Sequence, residues 1–325
     1  MTRMAHPSKI TGLLALLLLP VPAHAQDLSP LVAQCASGES SSLLTACRSA
    51  VLAGQTIRGG IAITGAGGTE LPGTSSTIGR RLGSSPRVSL ALGVQAASFE
   101  MPDLRGAGSD GQGTNTVAAY GLKGTVAVGL LDGFSVIPTV GGIFSVDLLG
   151  SLGLILLGEG DGFPKNEVMI SGGARLGIFR ESFTMPGVTV SAVQHFGGAA
   201  GWTNGGTPRT DVDADLSTTS VRATVGKDLF GLAVLAGVGW DWNKGALDVR
   251  VSDPADPTVL GVAATDALTS RRNVYFAGLS ITRLVLQLSL EAGWAGGYAA
   301  LPGYPGAYDP GSAVPFARIA GRLTF

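Results

Sequence analysis

The residues able to carry chemistry are few, and their spacing narrows what that chemistry could be. Histidine occurs at positions 6, 24 and 195. His6 and His24 fall in an N-terminal leader described below, which leaves His195. A serine-hydrolase centre needs a histidine between its nucleophile and a carboxylate, so any such centre must be built on His195. A site of several histidine metal ligands has no material. Gly106-Ala-Gly108-Ser-Asp-Gly111 is a literal G-x-G-x-x-G. No helix pattern follows it and no βαβ context surrounds it, so it reads as a loop tip rather than a dinucleotide cradle. Asp211, Asp213 and Asp215 alternate in one Gly/Pro-rich stretch, and Asp253, Asp256 and Asp266 lie in another. Carboxylate groups of this kind can hold calcium, but in such stretches they read as solvated loops. Cys35 and Cys47 match no common metal spacing. In an oxidising compartment they are expected to pair, and otherwise to remain as two thiols. No cofactor and no metal site is expected.

The elements that must position these residues begin with an export signal. Arg3 and Lys9 make a positive start, residues 10–22 are apolar and leucine-rich, and Ala23-His24-Ala25 is a small-x-small cleavage pattern. Residues 1–25 are read as a signal peptide, with Gln26 first in the exported chain. The apolar run is shorter than the roughly 20 residues a spanning helix needs. Residues 26–53 carry helix-like spacing at Leu28, Leu31 and Val32, then at Leu43, Leu44, Cys47 and Val51. They are expected to form a short helical segment, periplasmic or acting as a plug, ahead of a domain over 54–325.

That domain has an unusual balance. Charged residues make up 14% of the chain, against roughly 25% in soluble domains, and the mean hydropathy is +0.35. A large surface therefore avoids water. No helix explains it, because the longest apolar stretch after the signal, 148–157, is far below ~18 residues. Only helices and closed barrels satisfy their backbone groups inside a bilayer, so a barrel remains. The 50 glycines and 17 prolines suit strands and turns. A net charge of −1 gives no sign of nucleic-acid binding.

Period-2 alternation recurs from Ile57, Ile61 and Ile63 to the C-terminus. Val88, Leu90, Leu92 and Val94 alternate with small or polar residues. So do Tyr120 to Leu130, Phe134 to Val146, Val168 to Ile178, Val188 and Val190, Val221 and Val225, Leu232 to Trp240, and Leu284 to Trp294. Short links near 83–86, 131–133, 181–186, 228–231 and 282–283 interleave with long ones near 65–73, 101–115, 148–165, 201–215, 245–269 and 301–313. Short periplasmic turns alternating with long outer loops are the rule for membrane barrels. The expected fold is an all-β, antiparallel up-and-down transmembrane β-barrel of about 12 strands, within 10 to 14. The least regular strand is 74–81.

Residues 316–325 resemble the C-terminal strand of bacterial outer-membrane β-barrel proteins. That family ends on an aromatic residue preceded by alternating apolar positions, here Phe325, Leu323, Gly321 and Ile319. The resemblance implies a cell outer-membrane location. It also implies export machinery and barrel assembly machinery as partners in biogenesis, with Phe325, Leu323 and Ile319 as the assembly signal, and outer-membrane lipid around the wall. The fatty-acid-transporter type of barrel carries an N-terminal plug, and residues 26–54 are similar to it in position.

If the apolar face meets lipid, the opposite parity lines the lumen. It collects Arg58, Lys123, Arg175, Arg222, Arg318 and Arg322, then Asp147, Glu167, Asp241 and Glu291, with Gln95, Gln287 and His195. Charged rings of this kind can set ion preference in a pore, or they can pair across a plugged interior. The leading expectation is a channel or transporter for small solutes. A non-conducting structural or surface-display barrel is the alternative, and a barrel hydrolase using His195 the third. Segment 148–157 is expected to extend a strand, fold into the mouth, or contact an apolar substrate.

Overall fold

The computed structural model describes residues 27–37, 40–80, 85–105, 113–135, 142–206 and 209–325. The signal segment 1–25 and the glycine-rich run 106–111 lie outside the described residues. Two helices come first, α1 (Ser29–Ala36) and α2 (Ser41–Ala66). Ten strands follow: β1 (Val88–Pro102), β2 (Thr114–Leu131), β3 (Ser145–Leu156), β4 (Glu167–Phe179), β5 (Gly187–Thr203), β6 (Thr210–Leu229), β7 (Leu232–Ser252), β8 (Leu260–Arg283), β9 (Leu286–Ala295) and β10 (Val314–Thr324). Each strand pairs antiparallel with its neighbours in sequence, and β1 closes on β10 from Ser89↔Thr324 to Ala97↔Phe316. Closure leaves no sheet edge unpaired, as lipid requires.

The strand count corrects the expectation of about 12. The wall has ten strands, because the first two expected ones are not wall elements. Ile57, Ile61 and Ile63 belong to α2, which runs across the 53/54 boundary. Ile57 and Ile61 lie four apart on one helix face. Glycine and alanine between them fit either period, so alternation alone misleads there. The described residues of segment 74–81, up to Arg80, contribute only an isolated bridge, Arg80↔Pro86. The strand expected at 134–146 also changes: residues 136–141 lie outside the described residues, and the wall strand found here is β3. Its residues are 145–156, so most of 148–157 is spanning wall rather than loop, and the β2–β3 link is longer than its neighbours. Leu148, Leu152, Leu154 and Leu156 face outward while Leu149 and Ile155 face in.

Parity divides the wall into two faces. Leu90, Leu92, Val94, Ile170, Leu279, Leu288 and Leu290 are exposed on the outside. Ser89, Gln95, Asp147, Arg175, Ser220, Arg222, Asp241 and Glu291 are buried on the inside. An apolar exterior over an interior that holds the wall's buried polar and charged residues is the arrangement a bilayer selects.

What fills the interior is α2. Ser40 caps it by accepting a hydrogen bond from the Leu43 amide at 3.1 Å. Nearly every residue from Ala50 to Ala66 is buried inside the barrel. The fit depends on small residues: a Cβ on Gly60 would overlap the Phe99 ring, and one on Gly59 the Tyr298 phenol. Inward Phe99, Phe276, Phe316, Met169, Val212 and Leu247 complete the core around the helix. The helix starts beside the β7–β8 link, where Ser42 Oγ donates to Asp253 Oδ1 at 2.6 Å. From its C-terminal end the chain runs down the lumen to Arg80 and reaches β1 at the short-turn end.

Candidate functional site: the lumen and its threaded chain

The inward charged residues converge on the backbone of the threaded chain. A helix ends with carbonyls that have no partner in the helix, and here the wall supplies the donors. Gln95 Nε2 donates to Ile63 O at 2.7 Å, Lys123 Nζ to Gly65 O at 2.9 Å, and Arg222 Nη2 to Ala66 O at 3.2 Å. Two of these donors are cations, which also favours them at the negative end of the helix dipole. Arg222 is held in turn by Asp241 at 2.7 Å, and Asp241 also accepts from Ser220 Oγ at 2.7 Å.

Below the helix the polarity reverses. The chain from Thr69 to Gly79 presents unpaired amides, and carboxylates receive them. Glu291 accepts from the Thr69 amide at 2.9 Å, Thr69 Oγ1 at 2.7 Å and the Gly73 amide at 3.1 Å. Arg318 pairs with the same carboxylate at 2.5 Å and donates to Thr69 O. Asp147 accepts from the Ile78 amide at 3.0 Å and pairs with Arg175 at 2.7 Å. Gln287 Nε2 donates to Gly73 O at 2.9 Å. Buried charges and backbone groups are costly unless paired. These pairings offset part of that cost for wall and chain together.

Each expected lumen residue thus has a place. Gln95, Lys123, Asp147, Arg175, Arg222, Asp241, Gln287, Glu291 and Arg318 face inward and hold the threaded chain or one another. Arg58 faces the interior from α2 rather than from a first strand, which corrects that assignment. It donates to Leu268 O at 2.8 Å and Ser270 Oγ at 3.2 Å. Arg322 lines a cavity of about 120 Å³ at the short-turn end. Glu167 sits at the opposite mouth with Lys165 at 3.4 Å.

His195 lies on the inner wall opposite Ser171 in the β4–β5 register, with Glu70 3.9 Å away. Serine, histidine and carboxylate therefore share one neighbourhood. The cavity beside them, lined by Thr64, Lys123, Ser151, Ser171 and His195, is about 10 Å³, room for one water at most. No substrate fits there in this arrangement. Glu70, the wall aromatic Phe99 and Tyr298 of the β9–β10 link were not singled out by the sequence reading. Glu70 lies in a segment without periodicity, and the aromatics read as ordinary core. The Gly59-Gly60 pair opposite them is a signal that a helical reading could have used.

At the helix entrance Cys35 and Cys47 form a disulfide that ties α1 to α2. It closes a loop with a sequence separation of 12, which stabilises the hairpin by about 3 kcal/mol on a loop-entropy account. Among the aspartates, Asp211 pairs with Arg209 at 2.6 Å, Asp253 receives Ser40 and Ser42, and Asp256 caps its own turn through Thr258. Among the described residues no group of three or more His, Cys, Asp or Glu is placed to hold a metal.

No family model and no curated protein matches the chain. Solved structures similar to it include the translocator domain of autotransporter NalP from Neisseria meningitidis, at 13% identity and a TM-score of 0.42, covering 75% of this chain and 90% of that one. The transport unit of autotransporter AIDA-I from Escherichia coli is 9% identical at a TM-score of 0.34, covering 84% and 99%. A deletion mutant of the monoaromatic hydrocarbon channel TodX of Pseudomonas putida is 10% identical at 0.35, covering 82% and 97%. At these scores the likeness carries no argument of its own, and the barrel assignment rests on the closed strand ladder.

Proposed function

We propose that this chain is an outer-membrane barrel closed by its own N-terminal helix, holding a disulfide-linked helical hairpin at its outer mouth. It is a display or anchoring barrel rather than an open pore. The observation that carries this reading is the socket: inward cations meet the carbonyls at the end of α2, and inward carboxylates meet the amides that follow. A conducting lumen would leave those charges to line water. Here they are spent on protein backbone.

Orientation follows from the links. The two-residue turns at 230–231 and 284–285 lie at one end, and the long extensions of β6, β7 and β8 at the other. Short turns face the periplasm in membrane barrels, so the hairpin and Asp27 lie on the outward side. Small-solute transport would require α2 to leave. A space of about 350 Å³ at the mouth beside the helix ends on Thr56, Arg272 and Tyr298.

Planar-bilayer recording tests the closure. The unmodified chain is expected to insert and pass no steady current. Gly60→Val, whose side chain would overlap the Phe99 ring, is expected to loosen the helix at a cost of about 1–3 kcal/mol and to give intermittent openings. A steady open current through the unmodified chain contradicts the proposal.

A further inference from the structure

The short-turn end of the barrel is apolar where turns are ordinarily polar. Phe230 is 96% exposed, Leu284 99% and Phe183 86%. Phe134, Phe144, Leu131, Leu229 and Val285 add to the same rim. Among the described residues, the non-glycine residues with left-handed backbone outside the N-terminal hairpin are Phe144 (φ 59°), Phe230 (φ 60°) and Leu284 (φ 55°), all at this end. That conformation suits glycine or asparagine, and a bulky side chain disfavours it. Two tight turns thus place large apolar groups, fully exposed, on backbone that they strain.

The height of the apolar band says what covers them. Its upper edge is marked on the outer wall by Trp242, Tyr275, Trp294 and Tyr120, with Tyr275 and Trp294 stacked at 5.7 Å. Above it the outward residues on β7 are Lys244, Asp248 and Arg250. A lipid-facing band is about 25 Å tall. A strand rising about 3.4 Å per residue and tilted by about 40° needs roughly ten residues to cross it. Counted down from Trp242, that length ends at Leu232, the first residue after the Phe230–Gly231 turn. From Trp294 it ends at Leu284 itself, and from Tyr120 at Leu130. Among the described residues charges at this end pair with one another, Asp132 with Arg180 at 3.1 Å and Glu181 with Lys227 at 3.7 Å, so the two tight turns follow the band directly. Arg87 and Arg283 are exposed beside them.

We propose that the short-turn rim is seated in the glycerophospholipid headgroup layer of the inner leaflet, with Phe230, Leu284 and Phe183 as anchors and Arg87 and Arg283 placed to meet phosphates. The inference rests on the membrane-spanning reading and goes beyond it. The barrel has no periplasmic skirt, and its turns hold the wall at a fixed depth.

The test uses the full chain folded into phosphatidylethanolamine–phosphatidylglycerol vesicles. Leu284→Cys and Phe230→Cys are each labelled with an environment-sensitive dye, with Ser312→Cys at the opposite mouth as reference. Lipid spin-labelled near the carbonyl level should quench the dyes at 284 and 230 several-fold more than the dye at 312. Iodide present on both sides of the bilayer should quench them several-fold less. Equal iodide quenching at all three sites, with no effect of spin-labelled lipid, overturns the proposal. Heat-modifiable migration of the same sample reports insertion separately, so a chain that inserts yet exposes its tips refutes only the rim. A Phe230→Asn/Leu284→Asn double variant guards against a labelling artefact. Asparagine suits the turn backbone, so stability in detergent should hold or rise while stability in vesicles falls. An equal change in both media would mean that the side chains serve the fold alone.

Discussion

The residue that best separates local chemistry from architecture is Asp253. Its carboxyl is held below the usual carboxylate value, first by the hydrogen bond from Ser40 and then by that from Ser42. The charged form is therefore the one the folded helix start prefers. A carboxylate whose folded pKa is depressed stabilises above its unfolded value, about 3.9, and loses that contribution as pH falls through the folded value. Protection of the Leu43 and Leu44 amides, taken relative to the intrinsic exchange rate at each pH, should hold at neutral pH and fall only below about pH 4, and Asp253→Asn should abolish most of that pH dependence. Unchanged protection down to strongly acid pH would mean that the contact does not hold the helix start. The sequence displays Asp253 only as one of several loop aspartates. Its role depends on a serine more than two hundred positions earlier, a distance no local pattern reports. The inward wall charges were legible because parity alone places them. Their contacts to the threaded chain were not, because those are to backbone atoms of a segment with no pattern.

At the scale of elements, register is the property that alternation specifies most firmly. One slip would reverse every side chain. The leucines of β9 illustrate both the strength and the limit of that signal. Parity puts Leu286, Leu288 and Leu290 on the lipid face and Gln287 and Ser289 inside, as found. Depth is a different matter. Leu286 opens β9 and lies near the short-turn rim, while Leu290 lies midway to Trp294. Leu290→Arg should therefore cost about 2–4 kcal/mol and Leu286→Arg about 0–1 kcal/mol, measured by reversible unfolding in vesicles. Equal costs at both positions would contradict the depth assigned to the band. Ser289, facing in, is packed against Gly73 of the threaded chain rather than water. The second half of α2, from Gly54 to Ala66, escaped the sequence reading because a helix surrounded by protein on all sides has no polar face to mark its period. Its small residues fitted either pattern. The wall strands other than β3 were readable for the opposite reason, each having one face in lipid and one in protein.

The molecule as a whole is a chain threaded through its own barrel. Closure on β10, a polar interior and a continuous apolar exterior follow from the bilayer as solvent. The direction of threading follows from where α2 begins, beside the β7–β8 link, and where it ends, above the short-turn rim. The terminal series Phe325, Leu323 and Ile319 lies on the closing strand, with Phe325 hydrogen-bonded to Val88 at 2.8 Å. Its part in assembly remains a proposal beside the structural one. A hairpin on the outer side of a closed barrel is reachable from the medium, and its sidedness can be measured. An epitope placed beside Asp27 should be bound by antibody on intact cells, and to the same extent after the outer membrane is permeabilised. An epitope reached only after permeabilisation would put the hairpin in the periplasm and contradict the threading.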